Sequence, residues 1–377
     1  MQRRQLLKGF TGLATLAALP GCTTSATSAR PGHARGTLVP VAARPENVIR
    51  TVAGLRPFRP TGFRLETERL GDTHVVHNYG HGGGGWSLSW GSSQLALEEV
   101  ATITGGSDTR DVAVLGCGIL GLTSAALLQR AGYRVTIYAR ALPPHTTSNI
   151  AGAQWTPVSV HDDDAAVPGY RARFERASRI AYRRFQDQVG TRYGVRWIDN
   201  YFESPGPDVG APNDLVRELP GLFPQQRLLG PGEHPFPLPW MWHHTTMFME
   251  PHVYLPEIER DVRLGGADFI VREFDGIEQV QALTQRVVVN CTGLGAGTLF
   301  GDAGILPIRG QLAFLRPQPA VDYIVIQRGR YMFPRSDGIL LGGTFERGEW
   351  DATPQREDTD RIVVDHAAFF DAMRSPT

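Results

Sequence analysis

The 377-residue sequence has few cysteines, no excess of charge of either sign and no long apolar run. Its three cysteines exclude a disulfide scaffold and leave too few thiols for a cysteine-rich zinc site, so we expect no metal. Its 38 lysines and arginines balance 38 aspartates and glutamates, which gives no reason to expect nucleic acid or another charged polymer as a partner. With 41% hydrophobic residues, the composition is that of an ordinary globular protein.

Residues 1–22 have the pattern of an export signal. Arg3 and Arg4 precede the apolar run "TGLATLAALPG", which is too short to span a bilayer. Paired arginines are typical of the route that exports folded proteins. "LPGC" resembles a lipoprotein cleavage box, so Cys22 would carry a lipid anchor; simple cleavage nearby is the alternative. We expect an exported, periplasmic protein in which residues 23–43 form a disordered polar tether. No pattern indicates an oligomeric state.

Residues 111–138 have the strand–helix–strand pattern of a dinucleotide-binding unit. "DVAVL" (Asp111–Leu115) predicts a buried strand, Ile119–Arg130 has helical periodicity, and "RVTIY" predicts a second strand. The G-x-G-x-x-G spacing between them allows a tight turn, approach of backbone to a pyrophosphate and close helix–strand packing. The helix start adds free N–H groups for phosphates. The predicted cofactor contacts of this turn are Gly116, Cys117, Gly118, Ile119, Leu120 and Gly121.

The residue after the second strand departs from this fingerprint. An acidic residue normally binds the ribose hydroxyls there, whereas this chain has Arg140. An arginine at this place could bind a 2′-phosphate, which would favour an NADP-dependent reductase. It could also cover an adenine or face solvent, and the fingerprint alone does not separate these alternatives.

Five stretches are similar to the D-amino acid oxidase and D-aspartate oxidase family. They are "GLRPFRP" (54–60), "VVHNYGHGGGGWSLSWG" (75–91), "LPPHTTSNIAGAQWTP" (142–157), "GRYMFP" (329–334) and "ILLGGTFERGEW" (339–350). A further stretch, "RVVVNCTGLGAGTL" (286–299), resembles the third dinucleotide-contacting strand of two-domain flavoproteins. The resemblance implies an α/β fold in which an FAD-binding Rossmann-like domain is interleaved with a mixed-sheet substrate domain. It also implies oxidation of D-amino acids by hydride transfer from Cα to flavin N5. Water and oxygen would then give a 2-oxo acid, ammonia and hydrogen peroxide.

The order of these stretches differs from the family order. In the family the first two lie near the carboxyl terminus, whereas here they precede the fingerprint, which implies a circular permutation. Exposed loops tolerate such cuts best. The expected division of the chain is 1–22 export signal, 23–43 tether, 44–104 permuted segment, 105–110 linker, 111–160 FAD-binding start and 161–377 interleaved remainder.

By the resemblance, three residues would hold the substrate. Arg56 matches the family arginine that forks onto the substrate carboxylate, for which a planar guanidinium is suited. Tyr331 matches a tyrosine whose hydroxyl donates to the same carboxylate, and the Gly83 carbonyl would accept a bond from the amine. A second family tyrosine has no counterpart, because Gln327 stands near its place, and the loop there is too short for a long active-site lid.

The resemblance also assigns FAD contacts outside the fingerprint. The hydroxyls of 146–148 would contact the pyrophosphate, and the amides of 153–154 would lie near flavin N5 and O4. Segment 82–87 would close over the pyrimidine end, and the helix after it would stabilise negative charge on reduced flavin. These additional FAD-binding residues are Gly82, Gly85, Trp86, Ser87, Arg140, Thr146, Thr147, Ser148, Ala153, Gln154, Phe274 and Thr292. Thr156 stands where the family has a glutamine near the carboxylate, so that contact does not carry over.

Phe345 bears on substrate choice. D-Aspartate oxidases carry an arginine there, and an apolar residue cannot compensate a buried second carboxylate, so neutral or apolar D-amino acids are favoured. Arg328 or Arg330 could still reach the pocket, so oxidation of D-aspartate or D-glutamate is the alternative. A non-catalytic flavin-binding lipoprotein is the alternative of another class.

Several other residues are assigned to packing. Cys117 and Cys291, each beside a glycine, are expected to be small buried thiols. The adjacent His243 and His244 would point in different directions, so they are not expected to share a metal. Between residues 168 and 190, one helical face would carry Phe174, Ala177, Ala181, Phe185 and Val189.

Overall fold

The computed structural model describes residues 38–162, 165, 167–207 and 219–374, which form two β-sheets with helices packed on both. The strands are β1 (Val48–Phe58), β2 (Arg64–Leu70), β3 (Thr73–Tyr79), β4 (Asp111–Leu115), β5 (Arg134–Ala139), β6 (Val195–Glu203), β7 (Arg227–Leu229), β8 (Met241–Met249), β9 (Asp268–Val271), β10 (Val287–Asn290), β11 (Leu306–Leu315), β12 (Tyr323–Gln327), β13 (Arg330–Arg335), β14 (Gly338–Gly342) and β15 (Glu346–Arg347). The helices are α1 (Gly85–Thr104), α2 (Ile119–Arg130), α3 (Thr147–Ile150), α4 (Tyr170–Gln186), α5 (Pro251–Leu264), α6 (Ile277–Gln281), α7 (Gly295–Phe300) and α8 (Arg356–Asp371).

The six-stranded sheet forms the α/β part of the fold. Its order is β2-β3-β10-β4-β5-β9, and every neighbouring pair is parallel except β2 with β3. Strands β4 and β10 are short runs rich in valine that are buried on both faces, as parallel strands covered by helices are. Helices α1, α2, α4 and α5 pack on one face, and α6 and α7 on the other. The predicted strand–helix–strand unit is confirmed, with β5 one residue longer than expected.

The nine-stranded sheet is mixed. Its order is β1-β11-β14-β13-β12-β6-β8-β7, β15 pairs with β11, and only the β12–β6 pair is parallel among these strands. One face packs against α8, and the other carries an apolar cluster around Phe248, Leu312 and Phe333, against which Ile150 packs. The chain passes between the two sheets four times, so the expected interleaving of an α/β part with a mixed-sheet part is confirmed.

Residues 44–104 belong to both sheets. Strand β1 pairs along its length with β11, β3 runs parallel to β10, and α1 packs on α2 and α4. The first and last described segments lie side by side: Arg44 Nη2 is 2.7 Å from Asp371 Oδ1, and the Tyr323 hydroxyl donates to the Val39 carbonyl at 2.9 Å. A chain end at residue 371 and a chain start at residue 44 are therefore neighbours in space.

Three expectations about local structure need correction. The tether predicted for 23–43 ends earlier, because Val41 and Ala43 are buried in the core beside α8; residues 1–37 lie outside the described ranges. Helix α1 begins at Gly85, within the glycine-rich motif, rather than after it. Val189 is 42% exposed, since α4 ends at Gln186, whereas the other four predicted positions of that face are buried. In the part of the chain that the structure describes, no helix is both long and apolar enough to cross a membrane.

Candidate active site

Arg56 and Tyr331 meet on the face of the nine-stranded sheet opposite α8. Arg56 Nη2 donates to the Tyr331 hydroxyl at 2.8 Å, although the two residues are 275 positions apart in the chain. An arginine can only donate, so the phenol oxygen is the acceptor and its own proton stays available. Arg56 Nη1 is buried and has no hydrogen-bond partner among the described residues. The pair thus presents a partly buried positive charge with unused donors.

Two glycines form the floor beneath this pair. A β-carbon on Gly310 of β11 would lie 2.6 Å from both Nη atoms of Arg56, and one on Gly342 of β14 would lie 2.2 Å from the Tyr331 ring. Glycine within a strand often marks such a close approach. The guanidinium and the phenol can therefore lie against the sheet only because neither strand carries a side chain there.

The segment after β5 is fastened above this face. The Arg335 guanidinium donates to the carbonyls of Asn149 (3.0 Å) and Ala151 (2.8 Å) and is itself held by Asp337. Phe333 packs so closely on Gly152 that a β-carbon there would be 2.5 Å from its ring. This anchoring sets the path of 149–152, and Ala153 follows with a left-handed φ of 59°.

The glycine-rich motif and the first turn of α1 contact the same region. Trp86 Nε1 donates to the Ser148 carbonyl at 3.0 Å, and Ser87 Oγ donates to the Gln154 carbonyl at 3.2 Å. Residues 82–84 pack on 158–160: a β-carbon on Gly82 would be 2.3 Å from the Ser159 carbonyl oxygen. These glycines thus allow the backbone of 82–84 to approach the backbone of 158–160 closely. The amino-terminal, positive end of α1 lies beside the segment that carries Ser148 and Gln154.

The fingerprint turn has the geometry that its spacing predicts. Gly116 has φ 101°, and a β-carbon on Gly121 would be 2.0 Å from the Gly116 carbonyl oxygen, so α2 packs directly against this turn. At the start of α2, the Ile119 N–H donates to Ser148 Oγ at 3.0 Å. In dinucleotide-binding proteins, an N–H at this position donates a hydrogen bond to a phosphate oxygen. A second turn, 291–293, abuts this one, since a β-carbon on Gly116 would be 2.5 Å from the Cys291 carbonyl oxygen.

Comparison with known proteins identifies the family. Residues 111–374 match the family described as DAO, FAD dependent oxidoreductase. The chain belongs to this family. Similar curated proteins are the D-aspartate oxidase of Homo sapiens, 27% identical over 68% of this chain and 74% of its own length, and the D-amino-acid oxidase of Schizosaccharomyces pombe, 30% identical over 67% and 74%. In fold, the chain resembles glycine oxidase from Geobacillus kaustophilus (TM-score 0.52, 18% identity, 71% of this chain and 81% of that one).

FAD is the cofactor of this family, and the fingerprint turn fits it. A β-carbon on Gly118 would be 3.0 Å from Ser148 Oγ, so only glycine leaves the start of α2 open between them. The helix N-terminus and the hydroxyls of 146–148 supply neutral donors, which suit a pyrophosphate. Thr146 already forms a capping box with Asn149 at the start of α3.

Two predicted FAD contacts lie at the outer edge of the six-stranded sheet. The Arg140 side chain is 76% exposed and pairs with Glu273 at 3.6 Å; its contact with the cofactor stays a prediction. Phe274 is partly buried, with its ring edge on Tyr138 and the Arg272 guanidinium 4.5 Å from its centroid.

Of the residues considered for specificity, only Arg328 lines the cavity beside Tyr331. This cavity, of about 300 Å³, is lined by Phe202, Glu203, Pro205, Ile326, Gln327 and Arg328. Neither Arg56 nor Tyr331 lines it; the link to Tyr331 is that Ile326 is its register partner across β12 and β13. The Arg328 N–H donates to Glu203 at 2.8 Å. Arg330 instead pairs with Asp365 of α8, and Phe345 is 59% exposed. Strands β12 and β13 are joined by Arg328 and Gly329 alone, a two-residue hairpin with positive φ at both residues.

Sequence reasoning missed the two glycines beneath Arg56 and Tyr331, and it missed a polar cluster around Gln154. Gln154 Nε2 donates to Thr156 Oγ1 at 2.9 Å, and its Oε1 accepts from Asn200 at 3.0 Å. His244 packs between aromatic rings near Asn200, and burial lowers its pKa to about 4. A glycine inside each of "IRGQL" and "LLGGT" was the available signal for the floor. The polar cluster had no signal, because it joins segments distant in sequence.

The remaining assignments concern thiols and metals. Cys117 and Cys291 are buried free thiols, as expected, and burial raises the pKa of each to about 12. One group of described residues, Glu250, His252 and Asp337, has metal-ligating atoms close together, but Arg196 and Arg335 already bind the two carboxylates.

Proposed function

We propose that this chain is a D-amino acid oxidase that acts on neutral or apolar D-amino acids. The overall reaction consumes the D-amino acid, water and oxygen, and gives a 2-oxo acid, ammonia and hydrogen peroxide. FAD supplies the two-electron acceptor for this chemistry when it is bound. The similar D-amino-acid and D-aspartate oxidases support the substrate class, and the fold-level likeness to glycine oxidase does not narrow it.

The hydrogen-bonded pair of Arg56 and Tyr331 carries the proposal. Its unused donors are the free Nη1 of the guanidinium and the phenol proton, and both suit the two oxygens of a carboxylate. The Gly83 carbonyl would accept a bond from the substrate amine and so orient the Cα–H. With both ends of the substrate held, the chain contributes mainly position, and no general base is required.

The cavity beside Tyr331 supports the preference for substrates with uncharged side chains, and its one arginine, Arg328, is the feature that would suit acidic substrates. Phe202, Pro205 and Ile326 make its walls apolar. Arg328 at its rim is held by Glu203, so the pair presents no net charge. If a substrate carboxylate displaced Glu203 from Arg328, D-aspartate or D-glutamate would be oxidised instead. A kinetic panel of D-amino acids separates these two substrate classes.

Anaerobic reduction of the bound flavin tests the proposal. Purified protein is mixed without oxygen with matched D- and L-amino acids, and the flavin absorbance is followed. We expect bleaching by several neutral D-forms and by none of the L-forms. Failure of every D-amino acid to reduce the flavin would instead indicate a flavin-binding protein without turnover.

We also propose that the chain is circularly permuted. The family match starts at residue 111, yet residues 44–104 supply β1, β2, β3 and α1 to the same two sheets. The contact between Arg44 and Asp371 brings the first and last described segments together, which supports this proposal. A gene reopened within 105–110, with residue 374 joined to residue 38 by a short linker so that the buried Val41 and Ala43 are kept, should give a protein that folds and binds FAD. Loss of FAD binding in that protein would argue against a permuted origin.

Export through the twin-arginine route, with a lipid on Cys22, remains a proposal based on residues 1–22, which lie outside the described ranges. Cell fractionation of the full chain should place it in the periplasmic or membrane fraction, and Arg3→Lys with Arg4→Lys should retain it in the cytoplasm. Cys22→Ala should move it from the membrane to the soluble periplasm. An unchanged distribution in Cys22→Ala would mean that no lipid is attached there.

A further inference from the structure

A chain of buried hydrogen bonds connects a surface carboxylate to the turn after β10. Glu68 Oε2 lies 2.9 Å from Nε2 of His77, and Nδ1 of His77 lies 3.0 Å from Nδ2 of Asn290. Asn290 Oδ1 in turn accepts bonds from the N–H of Thr292 at 3.1 Å and from its hydroxyl at 2.7 Å. His77 and Asn290 are register partners on β3 and β10, and both are 0% exposed.

The bonds at Thr292 determine where the protons lie along this chain. A backbone N–H can only donate, so the Asn290 atom that faces Thr292 is the carbonyl oxygen, and the amide nitrogen faces His77. Nδ1 of His77 is therefore the acceptor, and the single N–H of the neutral ring, on Nε2, points to Glu68. A second proton on the ring would bring two N–H groups face to face. Rotation of the Asn290 amide would relieve that repulsion, but both bonds to Thr292 would be lost.

The turn that Asn290 holds lies at the phosphate-binding edge of the six-stranded sheet. The Cys291 N–H donates to the Leu115 carbonyl at 2.8 Å, and a β-carbon on Gly116 would be 3.5 Å from Cα of Thr292. Both turns follow the carboxyl ends of neighbouring parallel strands, β4 and β10, where open α/β sheets bind their ligands. The orientation of Asn290 thus sets the position of the 291–293 turn beside the dinucleotide turn.

The groups around His77 shift its pKa in opposite directions. The charged and titratable groups that face it are Glu66, Glu68 and Arg64 on β2 and Tyr79 on β3, whose hydroxyl bonds Asp302. Phe300 of α7 packs a ring edge on the imidazole at 5.1 Å and carries no charge. Burial, with Arg64 adding to it, lowers the pKa of His77 despite the favourable Glu68 contact. The ring is therefore neutral at pH 7 and gains a proton only in acid.

We propose that His77 and Asn290 hold the turn 291–293 in place beside the phosphates of FAD, and that protonation of His77 releases this turn and weakens FAD binding in acid. His77 and Asn290 are positioning residues, because the turn, and not these two side chains, would touch the cofactor. The proposal rests on FAD binding, which membership of the family establishes, and is independent of the substrate.

The dissociation constant of FAD, measured between pH 8 and pH 5 without substrate, tests this proposal. Dilution of the holoprotein releases flavin, and flavin fluorescence reports the fraction released. His77→Asn keeps an oxygen acceptor near Nδ1 but cannot take up a proton. At pH 8 we expect it to bind FAD within about threefold of wild type. Between pH 8 and pH 5 the FAD dissociation constant of the wild type should rise about tenfold more than that of His77→Asn. His74→Asn, on the same strand but outside the hydrogen-bond chain, is the matched control and should follow wild type.

Equal weakening of wild type and His77→Asn with falling pH would show that other groups cause the acid effect, and would overturn the proposal. A second variant does not depend on replacing a core residue. Thr292→Val removes one of the two bonds by which Asn290 holds the turn and leaves His77 and Asn290 in place, so it should weaken FAD binding about tenfold at pH 8. If FAD affinity in Thr292→Val equalled that of wild type, the turn would not hold the cofactor and the proposal would fail.

Discussion

Removal of the Arg56 side chain tests the proposed substrate site most directly. Its Nη1 is buried without a partner in the described part of the chain, and its Nη2 is bonded to Tyr331. Each charge-assisted bond to a substrate carboxylate contributes about 1.5–3 kcal/mol, and loss of one partner of a buried charge pair costs about 2–5 kcal/mol. We therefore expect Arg56→Ala to lose about 3 kcal/mol of D-substrate binding, a roughly 150-fold rise in the dissociation constant.

Anaerobic stopped-flow reduction of the bound flavin at increasing D-alanine concentration is the assay, because it separates the substrate dissociation constant from the limiting rate. The FAD content, read from the flavin absorbance, should be unchanged in Arg56→Ala. Arg59→Ala is the matched control from the same motif. Arg59 Nε pairs with Asp302 at 2.9 Å and shares no partner with Arg56, so its loss should change the substrate dissociation constant by less than about threefold.

An unchanged dissociation constant in Arg56→Ala, or an equal rise in Arg59→Ala, would refute the assignment of the carboxylate site. Tyr331→Phe completes a double-mutant cycle. Alone it should raise the dissociation constant about tenfold, since one hydroxyl donor is lost. In the Arg56→Ala background its effect should be smaller, because the guanidinium that orients the phenol oxygen is already absent.

Three further predictions follow from close packing and burial. Gly342→Ala places a β-carbon 2.2 Å from the Tyr331 ring, so kcat/KM for D-substrates should fall at least about tenfold with FAD still bound. Burial lowers the pKa values of His244 and His366 to about 4. Below pH 6.5 the unfolded chain then binds more protons than the folded one, so the free energy of unfolding decreases as the pH is lowered, by about 2 kcal/mol per histidine at pH 5. A melting temperature that is constant from pH 7 to pH 5 would contradict this. The Cys291 thiol should react with a maleimide at pH 8 only in denaturant, and rapid labelling of the native protein would show that it is accessible.

The α/β part of the fold could be predicted closely because local patterns specify it. Asp111–Leu115 is a strand and Ile119–Arg130 a helix, as the periodicity and the glycine spacing indicate, since each glycine has a distinct steric role. The order of the strands in the nine-stranded sheet had no such signal. Pairing of β1 with β11, for example, joins residues 248 to 267 positions apart, and only tertiary packing selects that partner.

The candidate site divides in the same way. Arg56 and Tyr331 were named from short motifs, but no motif specifies that Gly310 and Gly342 should lie beneath them. The boundary of the tether was wrong because composition does not register burial by distant segments. The face that was to include Val189 was drawn too long because the helix ends at Gln186. His77 and Asn290 were invisible for a related reason: each is an ordinary strand residue until β3 and β10 are placed side by side.

By itself the sequence determined the dinucleotide turn, the family and the residue types available for binding a carboxylate, because these depend on spacings of a few residues. Only the tertiary structure decided which side chains meet and in which protonation state. Burial and the directionality of hydrogen bonds become defined when strands from opposite ends of the chain pair, and these two quantities set what each polar group can donate or accept.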